Sequence, residues 1–185
     1  MELEINGCRI RPNARLEGID RLAGENLSGV DLSGARLNRA ILEKSVLSNA
    51  TLNHASLLWT NLRFADLSGA NLKFADLSGA DFTGANLSGA NLYRARLAHS
   101  IFKNANLTGA SLNDSNGAHV NFHGAVLRDA SLHRMVATEG IFVGADLFNA
   151  DLSRGNFIRA DFSGTSLVVS RWVDAEFLDA KLPTA

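Results

Sequence analysis

The chain has 185 residues, with 18 basic and 19 acidic side chains and a formal net charge of −1. That is enough to bury one core, and too balanced to point toward nucleic acid, a membrane surface or an acidic substrate. The single cysteine, Cys8, cannot close an internal disulfide, which suits a reducing compartment. No secretory leader pattern opens the sequence and no apolar run nears the ~18 residues of a membrane span, so a soluble, cytoplasmic protein is expected.

Residues 1–14 predict a hairpin cap. Asn6-Gly7 is the preferred pair for a two-residue type I′ turn. The register it sets pairs Ile5 with Cys8 and Leu3 with Ile10 on an apolar face. Glu4 then faces Arg9, and Glu2 faces Arg11, on the other. The apolar face is positioned to cover whatever follows.

From residue 15 to residue 182 the sequence repeats every five residues. A large apolar residue occupies one phase from Leu22 to Leu182, which is (182 − 22)/5 + 1 = 33 positions, broken only by Gly117 and Ala137. From Leu32 on, a small residue sits two positions earlier, as Ala65 does before Leu67, apart from Val30, Val120 and Met135. This period fits neither a helix nor a strand; it describes a chain that turns a corner after each short extended segment. Arg15-Leu16-Glu17-Gly18-Ile19 reads as a first repeat. Leu16 and Leu22 are six apart, so one extra residue is expected between them.

Ala65-Asp66-Leu67-Ser68-Gly69 and Ala85-Asn86-Leu87-Ser88-Gly89 closely resemble the consensus of the pentapeptide-repeat family over nearly the whole array. The resemblance implies an all-β fold, a right-handed quadrilateral β-helix with four repeats per coil and about eight coils. Sorting the large positions by that 20-residue turn places Phe82, Phe102, Phe122, Phe142 and Phe162 consecutively in one column, ready to stack.

Several positions depart from the pattern. Gly117 and Ala137 leave holes beside the oversized Val120 and Met135; volume compensation and a shallow partner groove are the two readings. His99, His119 and Glu139 fall in one outer column, a long-shot metal set against a plain polar ladder. Leu58, Trp59, Phe64 and Phe74 stand outward where small residues are usual. Each ring is expected to meet a cation one coil away, Arg39 with Trp59, Lys44 with Phe64 and Arg94 with Phe74, and the cluster is also a candidate partner surface. Near the end, Phe148, Ile158, Val168, Val169, Val173 and Leu178 form an outward apolar group suited to homodimerisation through the C-terminal coils. Lys181 and Pro183 blunt the last edge, and residues 183–185 read as a tail.

No catalytic constellation, phosphate-binding loop or cofactor motif is present, so an enzyme is not expected. The sequence supports a protein-interaction scaffold whose partner it does not name. The family resemblance implies an alternative: some members mimic B-form DNA, bind type II topoisomerases such as DNA gyrase and confer quinolone resistance. Residues 26–182 carry 14 acidic and 14 basic side chains, which fits that role poorly, and neither an inserted loop nor a C-terminal helix is seen. One face leans basic through Lys73, Arg94, Arg134 and Arg154, with Asp114 and Asp174 between and beyond them. Its aromatics, Phe74 and Tyr93, are few for a nucleic-acid platform. A purely structural spacer is a further reading.

Overall fold

The computed structural model describes residues 3–183. Strands β1 (Leu3–Ile5) and β2 (Cys8–Ile10) form the expected hairpin, with Leu3 opposite Ile10, Glu4 opposite Arg9 and Ile5 opposite Cys8. Asn6 and Gly7 both take positive φ, at 50° and 75°, as a type I′ turn requires. Cys8 and Ile10 are buried and Ile5 packs against the core, so the hairpin caps the first coil. The Glu2–Arg11 pairing lies outside the described residues.

Beyond the hairpin the chain is a four-sided, right-handed β-solenoid. One parallel bridge per repeat joins a residue to the one 20 positions on, from Asn26↔Val46 to Asp161↔Lys181. The first bridge, Arg15↔Arg36, spans 21. The extra residue therefore exists, and the backbone hydrogen bonds place it between Ile19 and Gly24.

The repeat Ala65–Gly69 shows why this composition makes these corners. Ala65 and Leu67 are buried, and Asp66 points outward. The Leu67 N–H donates to Asn86 O (2.7 Å) and the Gly69 N–H to Ser88 O (2.9 Å), both in the next coil. The Asp66 N–H donates back to Ser45 O at 3.0 Å, and the Ala70 N–H closes the turn on Leu67 O at 3.0 Å. Only the Ser68 N–H is left without a backbone acceptor. Asp66 Oδ1 takes it at 3.0 Å, which is why Asp and Asn recur before the large residue. Where Ser56 is too short for this, Asn38 from the coil below accepts the Leu58 N–H instead at 3.1 Å.

The third turn residue has positive φ at every corner from Gly24 to Asp179, the mark of a type II turn. Glycine or Asn meets that demand with least strain; Trp59, Phe64 and Val169 also adopt it.

Inside, Phe82, Phe102, Phe122, Phe142 and Phe162 stack with centroids 4.5 to 5.2 Å apart. Hydroxyls in the small positions are satisfied locally, Ser45 donating to Leu42 O at 2.7 Å and Ser100 to Leu97 O at 2.6 Å. Among the described residues no buried side-chain polar atom lacks a partner, and no helix is long and apolar enough to cross a membrane.

Candidate interaction surfaces

Because the interior is filled, chemistry is left to the outer columns and the ends. At the Gly117/Ala137 position, Val120, Met135 and Ala137 are fully buried. A Cβ added to Gly117 would stand 3.0 Å from Met135 Cε and 3.3 Å from Val120 Cβ. The hole is occupied by its neighbours, so volume compensation holds and no groove opens there.

His99 and His119 do form a column, their rings stacked at 4.8 Å and 7°. His119 Nδ1 is 3.5 Å from Glu139 Oε2, and Arg159 Nη1 donates to Glu139 Oε1 at 3.1 Å. Parallel ring planes do not aim their in-plane nitrogen lone pairs at one point, and a guanidinium already holds the carboxylate. Among the described residues no group of three or more His, Cys, Asp or Glu side chains is arranged to hold a metal ion.

The exposed aromatics are placed differently from expectation. Trp59 is 61% and Phe64 52% exposed, and corner side chains lean toward the following coil. A Cβ on Gly79 would lie 2.6 Å from Trp59 Cδ2, and one on Gly84 would lie 2.6 Å from Phe64 Cδ1, so each ring rests across a glycine. Phe64 meets Arg63, its chain neighbour, at 5.9 Å, rather than Lys44. Arg94 covers Tyr93 at 5.1 Å, not Phe74, which stacks on His54 at 5.0 Å and meets Tyr93 edge-on at 5.7 Å. Trp59 has no guanidinium over its ring among the described residues; with half-buried Leu58, Asn38, Arg39, Glu17 and Gly18 it lines an open cleft. The expected pairings fail because they assumed side chains standing straight out from each coil.

Carboxylates along the array are mostly answered by cations. Asp146 pairs with Arg128 (2.6 Å), Asp114 with Arg134 (3.0 Å), Asp151 with Arg171 (3.4 Å) and Asp76 with Arg96 (3.5 Å). The Ser163 hydroxyl and backbone N–H, aided by Lys181, lower the Asp161 carboxyl to about 2. The basic face is interrupted likewise, Arg134 by Asp114 and Arg154 by Asp174 at 3.7 Å.

Toward the C-terminal coils, Val168, Val169, Val173 and Leu178 are each 59% to 66% exposed. Phe148 is partly covered by Arg128 at 5.5 Å, and Ile158 is half-buried. Trp172 and Leu182, inward by phase, are also exposed; the sequence pattern alone assigned them to the core. Lys181 does not stand free, since its Nζ is 3.1 Å from Asp161 Oδ2.

The family profile for pentapeptide repeats matches residues 26–63, 60–98, 102–134, 118–154 and 141–168, as eight copies. No curated protein matches the chain. Among solved structures it is similar to HetL, a pentapeptide repeat protein involved in heterocyst differentiation regulation from the cyanobacterium Nostoc sp. strain PCC 7120. That likeness has a TM-score of 0.77 and 27% identity over 93% of this chain and 86% of HetL. It is also similar to QnrB1, a plasmid-mediated fluoroquinolone resistance protein, with a TM-score of 0.63 and 18% identity over 91% of this chain and 89% of QnrB1.

Proposed function

The chain belongs to the pentapeptide-repeat family, and from that premise we propose that it is a non-enzymatic scaffold that binds another protein through the corner carrying Leu58, Trp59 and Phe64. The observation that carries this reading is conformational. Trp59 and Phe64 hold φ of 58° and 56°, a region that costs a side chain of this kind on the order of 1 kcal/mol relative to glycine. Eleven of the 32 corners from 24 to 179 do hold glycine. Two adjacent corners instead spend that strain on large, exposed aromatic rings, Trp59 lining a cleft with Leu58, the residue types on which binding energy concentrates. A regulatory binding role also agrees with the involvement named for HetL.

A DNA-mimicking, gyrase-directed role would call for an acidic rod. Here many of the carboxylates are paired with Arg or Lys, and the likeness to QnrB1 extends to the fold alone.

Affinity capture from a host lysate with wild type and with Trp59→Ala/Phe64→Ala tests the scaffold. A bound protein retained by wild type and lost from the double variant is expected; identical capture by both sinks this surface. A parallel supercoiling assay with purified DNA gyrase is expected to show no inhibition, and inhibition at micromolar protein would transfer the protein to the topoisomerase-binding branch.

A further inference from the structure

One edge of the first three coils is hollowed. Gly18, Arg39 and Trp59 stand one above another at a corner, all with positive φ, and Glu17, Asn38 and Leu58 stand beside them. Backbone hydrogen bonds hold this stack in register, the Gly18 N–H donating to Asn38 O and the Arg39 N–H to Leu58 O, each at 2.8 Å. These six residues line a cleft of about 470 Å³. Gly18 makes room for it, since nothing stands within 4 Å of where its Cβ would be.

The polar groups of the cleft differ in what already holds them. Glu17 is engaged by Arg36, its Oε1 lying 2.7 Å from Nε. Asn38 Oδ1 accepts from the Ser56 hydroxyl at 2.6 Å and from the Leu58 N–H at 3.1 Å, which turns the amide so that Nδ2 is the end left over. The Arg39 guanidinium makes no ion pair and covers no ring among the described residues. The cleft therefore offers hydrogen-bond donors and one unopposed cation beside two apolar surfaces, the half-buried Leu58 and the exposed ring of Trp59.

Resting on the scaffold role of this corner, we propose that the cleft recognises an extended segment of a partner protein in which an acidic and a large apolar side chain lie two residues apart. Residues two apart on a strand share a face and stand about 7 Å from each other. The backbones of Arg39 and Trp59 are one coil, about 4.8 Å, apart, and their long side chains span the remainder. The carboxylate takes the Arg39 fork and Asn38 Nδ2 in charge-assisted hydrogen bonds, and the apolar side chain lies on Leu58 and Trp59. Arg39 opposes a basic segment, so the charge selects the partner as well as holding it.

Titration calorimetry with the capped peptide acetyl-Ala-Glu-Ala-Phe-Ala-amide, whose only charge is the glutamate, tests the assignment. Wild type is expected to bind it saturably at one site. Exchanging Glu for Gln in the peptide is expected to weaken binding about fivefold, and exchanging Phe for Ala by as much or more. Arg39→Gln is expected to abolish the preference for Glu over Gln with an unchanged melting temperature, and Trp59→Ala to abolish the preference for Phe over Ala. Arg154→Gln, in a distant coil, is expected to leave both preferences intact. No saturable binding by wild type, equal binding of the Glu and Gln peptides, or a preference for Glu that survives Arg39→Gln overturns the site. A captured partner that is lost from Trp59→Ala/Phe64→Ala but fully retained by Arg39→Gln would keep the corner as a binding surface and remove its acidic requirement.

Discussion

At a corner, a single dihedral decides which side chains are tolerated. Val169 holds φ at 61° with a β-branched side chain, the least suitable kind for that region. Asn occupies equivalent corners at Asn49, Asn104 and Asn149. Val169→Asn is therefore expected to raise stability by about 1 kcal/mol, measured by urea unfolding; an unchanged or lower midpoint would show that packing of the valine outweighs its strain. The hairpin pairs were legible because Asn6-Gly7 fixes a register and each partner follows by counting. The neighbours of Trp59, Phe64 and Phe74 were not, because they depend on the direction in which a side chain leaves a left-handed corner. Trp59 and Phe64 lean onto glycines one coil ahead, a preference invisible in a table of columns.

Within the core, columns rather than single residues set the packing. The Phe82–Phe162 stack could be read from the letters, since a 20-residue turn brings those five rings together; the edge-on contacts of Phe157 and Phe177 with it could not. The same register exposed the gap at Gly117 and Ala137, and the oversized Val120 and Met135 beside it identified the filling. If that filling is correct, restoring the consensus fails on its own. Gly117→Leu is expected to destabilise by about 1–3 kcal/mol through overpacking, and adding Val120→Ala and Met135→Ala to it is expected to recover most of the loss. Thermal melts of the single and triple variants check this, and a stable Gly117→Leu protein would mean that the column retains unfilled space. The exposure of Trp172 and Leu182 was not legible, because phase assigns a residue to the inside without saying what lies over it.

Taken as a whole, the rod is close to neutral at long range and patterned at short range. Many of its acids and bases neighbour one another in ion pairs across adjacent coils. Its apolar exposure is instead concentrated in the C-terminal coils. Self-association there is a proposal that light scattering can test. Wild type is expected to be dimeric and Val168→Asp monomeric, while a monomeric wild type would end the idea.

The hydrogen-bond ladder restricts how such a pair can be built. In each repeat two N–H groups point toward the following coil, as at Leu67 and Gly69, and one points toward the preceding coil, as at Asp66. One rim of every coil is therefore rich in donors and the other rich in acceptors. Like rims cannot satisfy each other, so two copies related by a two-fold axis through such a rim would have to be joined by side chains such as Val168 and Val173. Unlike rims match fully. Backbone pairing between copies would run head to tail and, having no closing symmetry, would grow into a filament instead of stopping at two.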